Sequence, residues 1–198
     1  RWYDVEVTGM ESHAGTTPMD RRKDAIVGAA RMVDALDNLG NDNRPDARTT
    51  CGMFDISPGS RNVIPGHVSF SADIRHPDDD ILVGLGEQFG EACRKIAADM
   101  KLELKFEEIW YSPPVNFAEN CISAVEQAAA ALGMPSRPII SGAGHDAVYI
   151  SRVAPAGMIF IPCEDGVSHN EIEAASPEDV AAGCDVLLNA MVTCANDV

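Results

Sequence analysis

Three of the five histidines in this 198-residue chain lie in stretches too polar and glycine-rich to make good core: His13 in "ESHAGTTPM", His145 in "SGAGHDA" and His169 in "DGVSHNE". An imidazole can move a proton, donate a hydrogen bond or ligate a metal near neutral pH, so these loops are where chemistry is sought first. "GVSHNEIE" follows a buried strand-like run, and a side chain at a strand end is held rigidly enough to ligate Zn²⁺. Glu171 and Glu173 stand beside His169 as supporting carboxylates or as solvated charges. Zinc needs three or four ligands, and neither His-x-x-His nor His-Glu-x-x-His occurs, so this chain alone is not expected to complete a metal centre. In "SGAGHD" the glycines let backbone N–H groups approach an anion, or simply make a tight loop. The stretch lacks the Gly-x-Gly-x-x-Gly spacing and the following Lys-Ser/Thr of nucleotide sites.

A second kind of candidate is a carboxylate grip. Asn62 and Arg75 begin and end a strand-like segment, and Arg75 emerges where its alternation stops. A guanidinium there can hold a carboxylate in bidentate fashion with an amide assisting. The competing reading is an ion pair with one of the many nearby acids. Nucleophilic catalysis finds little support, because there is no Gly-x-Ser-x-Gly elbow and no cysteine with local features that lower its pKa.

These residues must be positioned by regular elements. "WYDVEVTG" alternates as a half-buried strand does. From Asp20 to Leu39, Ala25/Ile26, Ala29, Met32/Val33 and Leu36 form one helical stripe, with Gly40 as the expected stop. "RTTCGMFDIS" and "NVIPGHVSFSADIRH" predict two further strands, and Val68, Phe70, Ala72 and Ile74 share one face. A second helix is expected over Asp78 to Lys101, its acidic start complementing the helix dipole. "LELKFEEIWY" reads as a fourth strand. The order β-α-β-β-α-β is the split βαβ arrangement, a four-stranded antiparallel sheet with two helices on one face. Its uncovered edge makes a dimer plausible.

"SPPVNF" breaks the pattern, which puts one lobe at residues 1–113 and a second at 114–198. The second lobe predicts a helix from Glu119 to Leu132, a buried strand-like run "GMIFIP", and a final helix from Pro177 capped by Ser176 with Asp179 in the capping-box position. It has too few strands for a sheet of its own and reads as part of a larger α/β domain. The first residue, Arg1, falls inside a strand-like pattern, as expected of a segment of a longer gene product.

The formal net charge of −16 argues against nucleic acid and anionic membranes as partners. The densest basic cluster, Arg21-Arg22-Lys23, sits at a helix start. No apolar run is long enough to span a bilayer. None of the six cysteines forms a Cys-x-x-Cys pair; Cys93, Cys121 and Cys184 fall on apolar helix faces, and all six are expected to be reduced, in the cytoplasm.

Taken in order along the chain, "GMESHAGTTPMDRRKDA", "NVIPGHVSFSADIRHPD", "SGAGHDA" and "IFIPCEDGVSHNEIE" resemble the N-carbamoyl-L-amino-acid hydrolase, β-ureidopropionase and allantoate amidohydrolase group of the di-metal aminoacylase–carboxypeptidase superfamily. The resemblance implies an α/β catalytic domain holding two divalent metal ions, Zn²⁺ or in some members Mn²⁺ or Ni²⁺. It also implies an inserted ferredoxin-like lid that forms a homodimer. The lid would be residues 1–113, and 114–198 the return into the catalytic domain. His13 would reach into the partner's active site and polarise the scissile carbonyl. Asn62, Arg75 and the Gly144 backbone, with neighbouring His145, would bind the carboxylate of a small-molecule substrate. His169 would be a metal ligand, the one clear ligand here, since the family's other ligands and its glutamate base lie in a half this sequence lacks. Two alternatives stay open: a non-enzymatic dimerisation or ligand-binding module, and the lid of a related aminoacylase or peptidase.

Overall fold

The computed structural model describes residues 1–196. It divides into two compact units, Arg1–Pro114 and a second from Val115 onward.

In the first unit, β1 (Trp2–Thr8) is followed by the two-residue β2 (Ser12–His13), α1 (Ala25–Asp42), β3 (Arg48–Thr50), β4 (Phe54–Ser57), β5 (Val63–Ile64), β6 (His67–Arg75), α2 (Asp79–Met100) and β7 (Glu103–Trp110). Alternation sorts the strand residues cleanly: Tyr3, Val5 and Val7 of β1 and Val68, Phe70, Ala72 and Ile74 of β6 are buried toward the helices. β6 and β1 lie side by side in the centre, with β7 beyond β1 and both β3 and β4 beyond β6, all antiparallel. This is the ferredoxin-like order with one change. The expected single strand over "RTTCGMFDIS" is interrupted at Cys51–Met53, so the sheet has five strands in four positions. The sheet resumes after the break because Ser71 holds it from both ends: its N–H donates to the Met53 carbonyl and its Oγ accepts from the Met53 N–H.

Asp24 caps α1 by accepting from the Val27 N–H, and Asp78 caps α2 by accepting from Ile81. The residues before Asp24 form only a short 3₁₀ turn over Met19–Arg21, so α1 starts later than its apolar stripe predicts. Gly40 does not stop α1, which runs on to Asp42. Its role is close approach: a Cβ there would stand 2.4 Å from Thr49 Oγ1, so only glycine lets the helix lie against β3. Met32, Leu36, Leu85, Phe89 and Cys93 fill the space between helices and sheet. Tyr3, Phe89 and Phe106 form an aromatic cluster there, with Tyr3–Phe106 centroids 4.8 Å apart.

The second unit contains α3 (Glu119–Ala131), α4 (Asp146–Ile150) and α5 (Pro177–Asn196). α3 and α5 pack through small residues, Ala124, Ala128 and Ala129 against Val186 and Ala190. Ser176 and Asp179 form the expected reciprocal cap: the Asp179 N–H donates to Ser176 Oγ at 3.0 Å while that hydroxyl donates back to Asp179 Oδ2. "GMIFIP" is not a strand among the described residues. A strand exists through its ladder, and no segment among the described residues pairs with this one. Cys93 is buried, but Cys184 is exposed, contrary to its place on an apolar stripe; all six cysteines are free. No helix of the described residues is long and apolar enough to cross a membrane.

Candidate functional site

The β1–β6 pair does not end at Thr8 and His67. Gly9 N–H donates to Gly66 O at 2.8 Å, and beyond it β2 and β5 form a separate two-stranded ribbon with Ser12 opposite Ile64 and His13 opposite Val63. The ribbon is anchored at its root: Met10 N–H donates to Lys23 O and Ala25 N–H to Pro65 O, which tie both its strands to the entry of α1. Gly9 is required here because a Cβ would lie 2.0 Å from Lys23 O.

His13 stands exposed on this ribbon. The turn after it folds back beneath the imidazole: Thr17 N–H donates to His13 O, and Gly15 N–H donates to His13 Nδ1 at 3.0 Å. An Nδ1 that accepts carries no proton, so the neutral ring presents Nε2–H outward as a donor. Asn62 is its neighbour, since Ala14 N–H donates to Asn62 O at 2.9 Å, and Ser60 Oγ–H donates to Asn62 Oδ1. His13 and Asn62 are therefore neighbours on one ribbon, a donor imidazole and an amide, both exposed.

Arg75 is elsewhere. It is the last residue of β6, whose first residue, His67, lies at the ribbon's root. Eight residue steps at about 3.3 Å place these two ends roughly 26 Å apart. Arg75 forks onto Asp73 two residues before it on the same face, Nη2 to Oδ2 being 2.6 Å, and faces Arg48 across the β3–β6 pair. Hydrogen bonding to Asp73 holds the guanidinium protonated, above its ordinary value. The ion pair weighed as the competing reading is thus present.

In the second unit His145 is the N-cap of α4: its Nδ1 accepts from the Ala147 N–H at 3.0 Å. Gly144 beside it is open, with nothing within 4 Å of where a Cβ would stand. His169 sits at φ 55 in an exposed loop, and its backbone N–H donates to Glu173 Oε2 at 2.8 Å. That contact occupies one of the two carboxylates that sequence put beside it. Among the described residues no three His, Cys, Asp or Glu side chains gather closely enough to hold a metal ion. The donor set of the described residues therefore does not fit a complete metal centre.

Two shallow, open clefts lie in the first unit. One of about 410 Å³ is lined by Asp37, Arg44, Arg48 and Thr49 at the end of α1; another of about 300 Å³ on the open sheet face is lined by Asp4, Glu6, Asp55 and His67. Neither includes any of the six site residues. Sequence reasoning missed Arg22, whose guanidinium donates to Ala14 O at 2.7 Å and to Thr17 O at 3.1 Å. Its only sequence signal was membership of the basic cluster before α1.

The chain is similar to known proteins over nearly its whole length. The model of peptidase family M20/M25/M40 matches residues 9–193. An N-carbamoyl-L-amino-acid amidohydrolase of Rhizobium meliloti is 39% identical over 197 residues, which is 100% of this chain and 47% of that protein. An allantoate amidohydrolase of Bacillus subtilis is 36% identical, over 92% of this chain and 44% of the relative. The crystal structure of an amidase of the hydantoinase/carbamoylase family from Burkholderia multivorans superposes with a TM-score of 0.92 at 50% identity, covering 98% of this chain and 47% of that one. The chain spans about half the length of the curated relatives it matches.

Proposed function

The chain belongs to peptidase family M20/M25/M40, and from that premise we propose that it is the lid and the C-terminal catalytic segment of an amidohydrolase. The substrates would be N-carbamoyl amino acids or related ureido acids, cleaved at the ureido C–N bond. The observation that carries this reading is the His13–Asn62 pair. An Nε2–H donor and an amide, side by side on one anchored ribbon, suit a substrate with a carbonyl at one end and a carboxylate at the other. The names of the relatives, an N-carbamoyl-L-amino-acid and an allantoate amidohydrolase, supply the substrate class.

In the proposed mechanism His13 donates from Nε2 to the carbonyl oxygen as negative charge develops on it, and one such donor is worth about 3–4 kcal/mol. Asn62 and Arg75 hold the carboxylate, and in the second unit the open backbone of Gly144, beside His145, would be a carboxylate contact. Because the length of β6 separates Arg75 from the ribbon, one protomer's His13 and Asn62 would serve the site that contains the other protomer's Arg75. This fits a homodimer. The sheet offers an edge for it: β4 carries exposed Phe54 and Ile56 with one charge, Asp55, whereas the opposite edge, β7, carries several, Glu103, Lys105 and Glu107 among them. The family is generally metal-dependent, and two divalent ions, zinc or possibly manganese or nickel, would supply an activated water. His169 would be one ligand, with the rest coming from sequence outside this chain.

The second unit supports membership of a larger domain. On α5, Leu187, Leu188, Met191 and Val192 are all about half exposed or more, an apolar face of the kind soluble domains bury. The test is to supply N-carbamoyl amino acids, β-ureidopropionate and allantoate to the full-length gene product with divalent metal and to measure ammonia release. Hydrolysis of at least one is expected. No turnover of any, with tight binding of the same compounds, would replace the enzyme with a binding module.

A further inference from the structure

We infer that Arg22 is a positioning residue for His13: its forked guanidinium clamps the turn that fixes the imidazole in the Nε2–H tautomer. The inference rests on the role proposed for His13. Arg22 sits half-buried between the turn and the start of α1. It donates from Nη2 to Ala14 O and from Nε to Thr17 O, two carbonyls that bracket Gly15 and Thr16. Between those anchors lies the Gly15 N–H that donates to His13 Nδ1. The same turn is closed by Thr17 N–H on His13 O and joined to Asn62 through Ala14 N–H. A planar fork reaches two carbonyls at fixed separation, a geometry a single ammonium does not reproduce.

Three features make this more than a general brace. In a chain of net charge −16, Arg22 forms no ion pair with an acid among the described residues; its hydrogen-bond partners there are both main-chain carbonyls of this turn. The turn also leaves no slack. A Cβ on Gly15 would meet His13 Cε1 at 3.3 Å, so backbone and ring are already in contact. Finally, the hydrogen bond that the clamp supports is the one that decides which nitrogen holds the proton. Were the turn to relax, Nδ1 would lose its donor, both tautomers would be populated, and the fraction of rings presenting Nε2–H would fall.

The experiment reads the tautomer directly. His13 in this chain, labelled with ¹⁵N, is examined at a pH where it is neutral, using two-bond ¹H–¹⁵N correlations, in the wild type, Arg22→Gln and Arg22→Lys. The wild type should show a pyridine-like Nδ1 and a pyrrole-like Nε2. Arg22→Gln should move both toward averaged values, with Arg22→Lys between the two. In the full-length protein Arg22→Gln should lower kcat by up to about 100-fold, the scale of a roughly 1 Å misplacement, and Arg22→Lys should recover part of it. A wild-type ring protonated on Nδ1 would overturn the inference, as would an Arg22→Gln protein with the wild-type tautomer, whatever its kcat. Should Arg22→Gln not fold, Arg22→Lys decides: an unmixed Nε2–H tautomer with full kcat shows that the fork is not needed. The tautomer is measured without substrate, so failure of ureido hydrolysis would remove the proposed reaction and leave the clamp standing. An unchanged tautomer would remove the clamp alone.

Discussion

Gly9→Ala tests the root of the ribbon, and its cost can be worked from contacts. The new methyl would be built 2.0 Å from Lys23 O and 3.0 Å from Leu102 Cδ2. Leu102 is a side-chain tip and can turn away, but Lys23 O is backbone and already accepts the Met10 N–H at 2.9 Å. Relief needs the two segments to part by about 1 Å, which stretches that hydrogen bond out of range. Overpacking of this kind costs about 1–3 kcal/mol and the hydrogen bond about 1, so unit 1 should lose about 2–4 kcal/mol. The chain's two tryptophans, Trp2 and Trp110, both lie in this unit with ring centroids 4.8 Å apart, so their fluorescence reports its unfolding alone. In urea the midpoint should fall by about 1–2 M at an unchanged slope. Because the strain falls between Gly9 and the entry of α1, the His13 tautomer signal should blur as well. A midpoint within about 0.2 M of wild type would refute the close-approach argument and with it the account of how the ribbon is aimed.

Three further outcomes follow from the same geometry. In the full-length protein His13→Ala should lower kcat by about 10²–10³ with little change in KM, because the donor acts on charge present only in the transition state; near-normal turnover in steady-state kinetics would remove its role. Mixing His13→Ala with Arg75→Ala subunits should restore about a quarter of wild-type activity, since half the dimers are mixed and each has one intact site. Mixing His13→Ala with Asn62→Ala should restore none, because those two residues travel on one ribbon. Burial pushes the Cys93 thiol up to about 12 from 9.0. Between those values the unfolded chain releases a proton that the folded chain keeps, so the unfolded state binds fewer protons and stability falls as pH rises. The Cys93 contribution approaches about 1.4 kcal/mol per pH unit, seen as a fall of the urea midpoint above pH 9 that is shallower in Cys93→Ala, where buried Tyr3 and half-buried Cys51, raised in the same direction, still act.

The helices and long strands of unit 1 were legible because each carries a period that one buried face imposes: Tyr3, Val5 and Val7 at two, Met32 and Leu36 at four. What escaped was set by neighbours rather than by period. A two-residue strand such as Ser12–His13 has no alternation to read, so "ESHAGTTPM" looked like a plain turn rather than half of a ribbon. Gly40 reads as a stop on propensity alone; only the approach of Thr49 shows why a glycine lies inside the helix. "GMIFIP" carries a strand's composition without a strand's partner in this chain. At the site, residue type was informative and placement was not. A loop histidine with glycine two residues later marks a candidate donor, yet the proton's position is fixed by where Gly15 N–H points, and that depends on Arg22 reaching across the turn. Likewise Asn62 and Arg75 share one strand segment in sequence, which made them look like one grip. The register of β6 with β1 puts the length of a strand between them instead. If both touch one carboxylate, two copies of the chain are needed to bring them together, and that requirement is the structural argument for the proposed dimer.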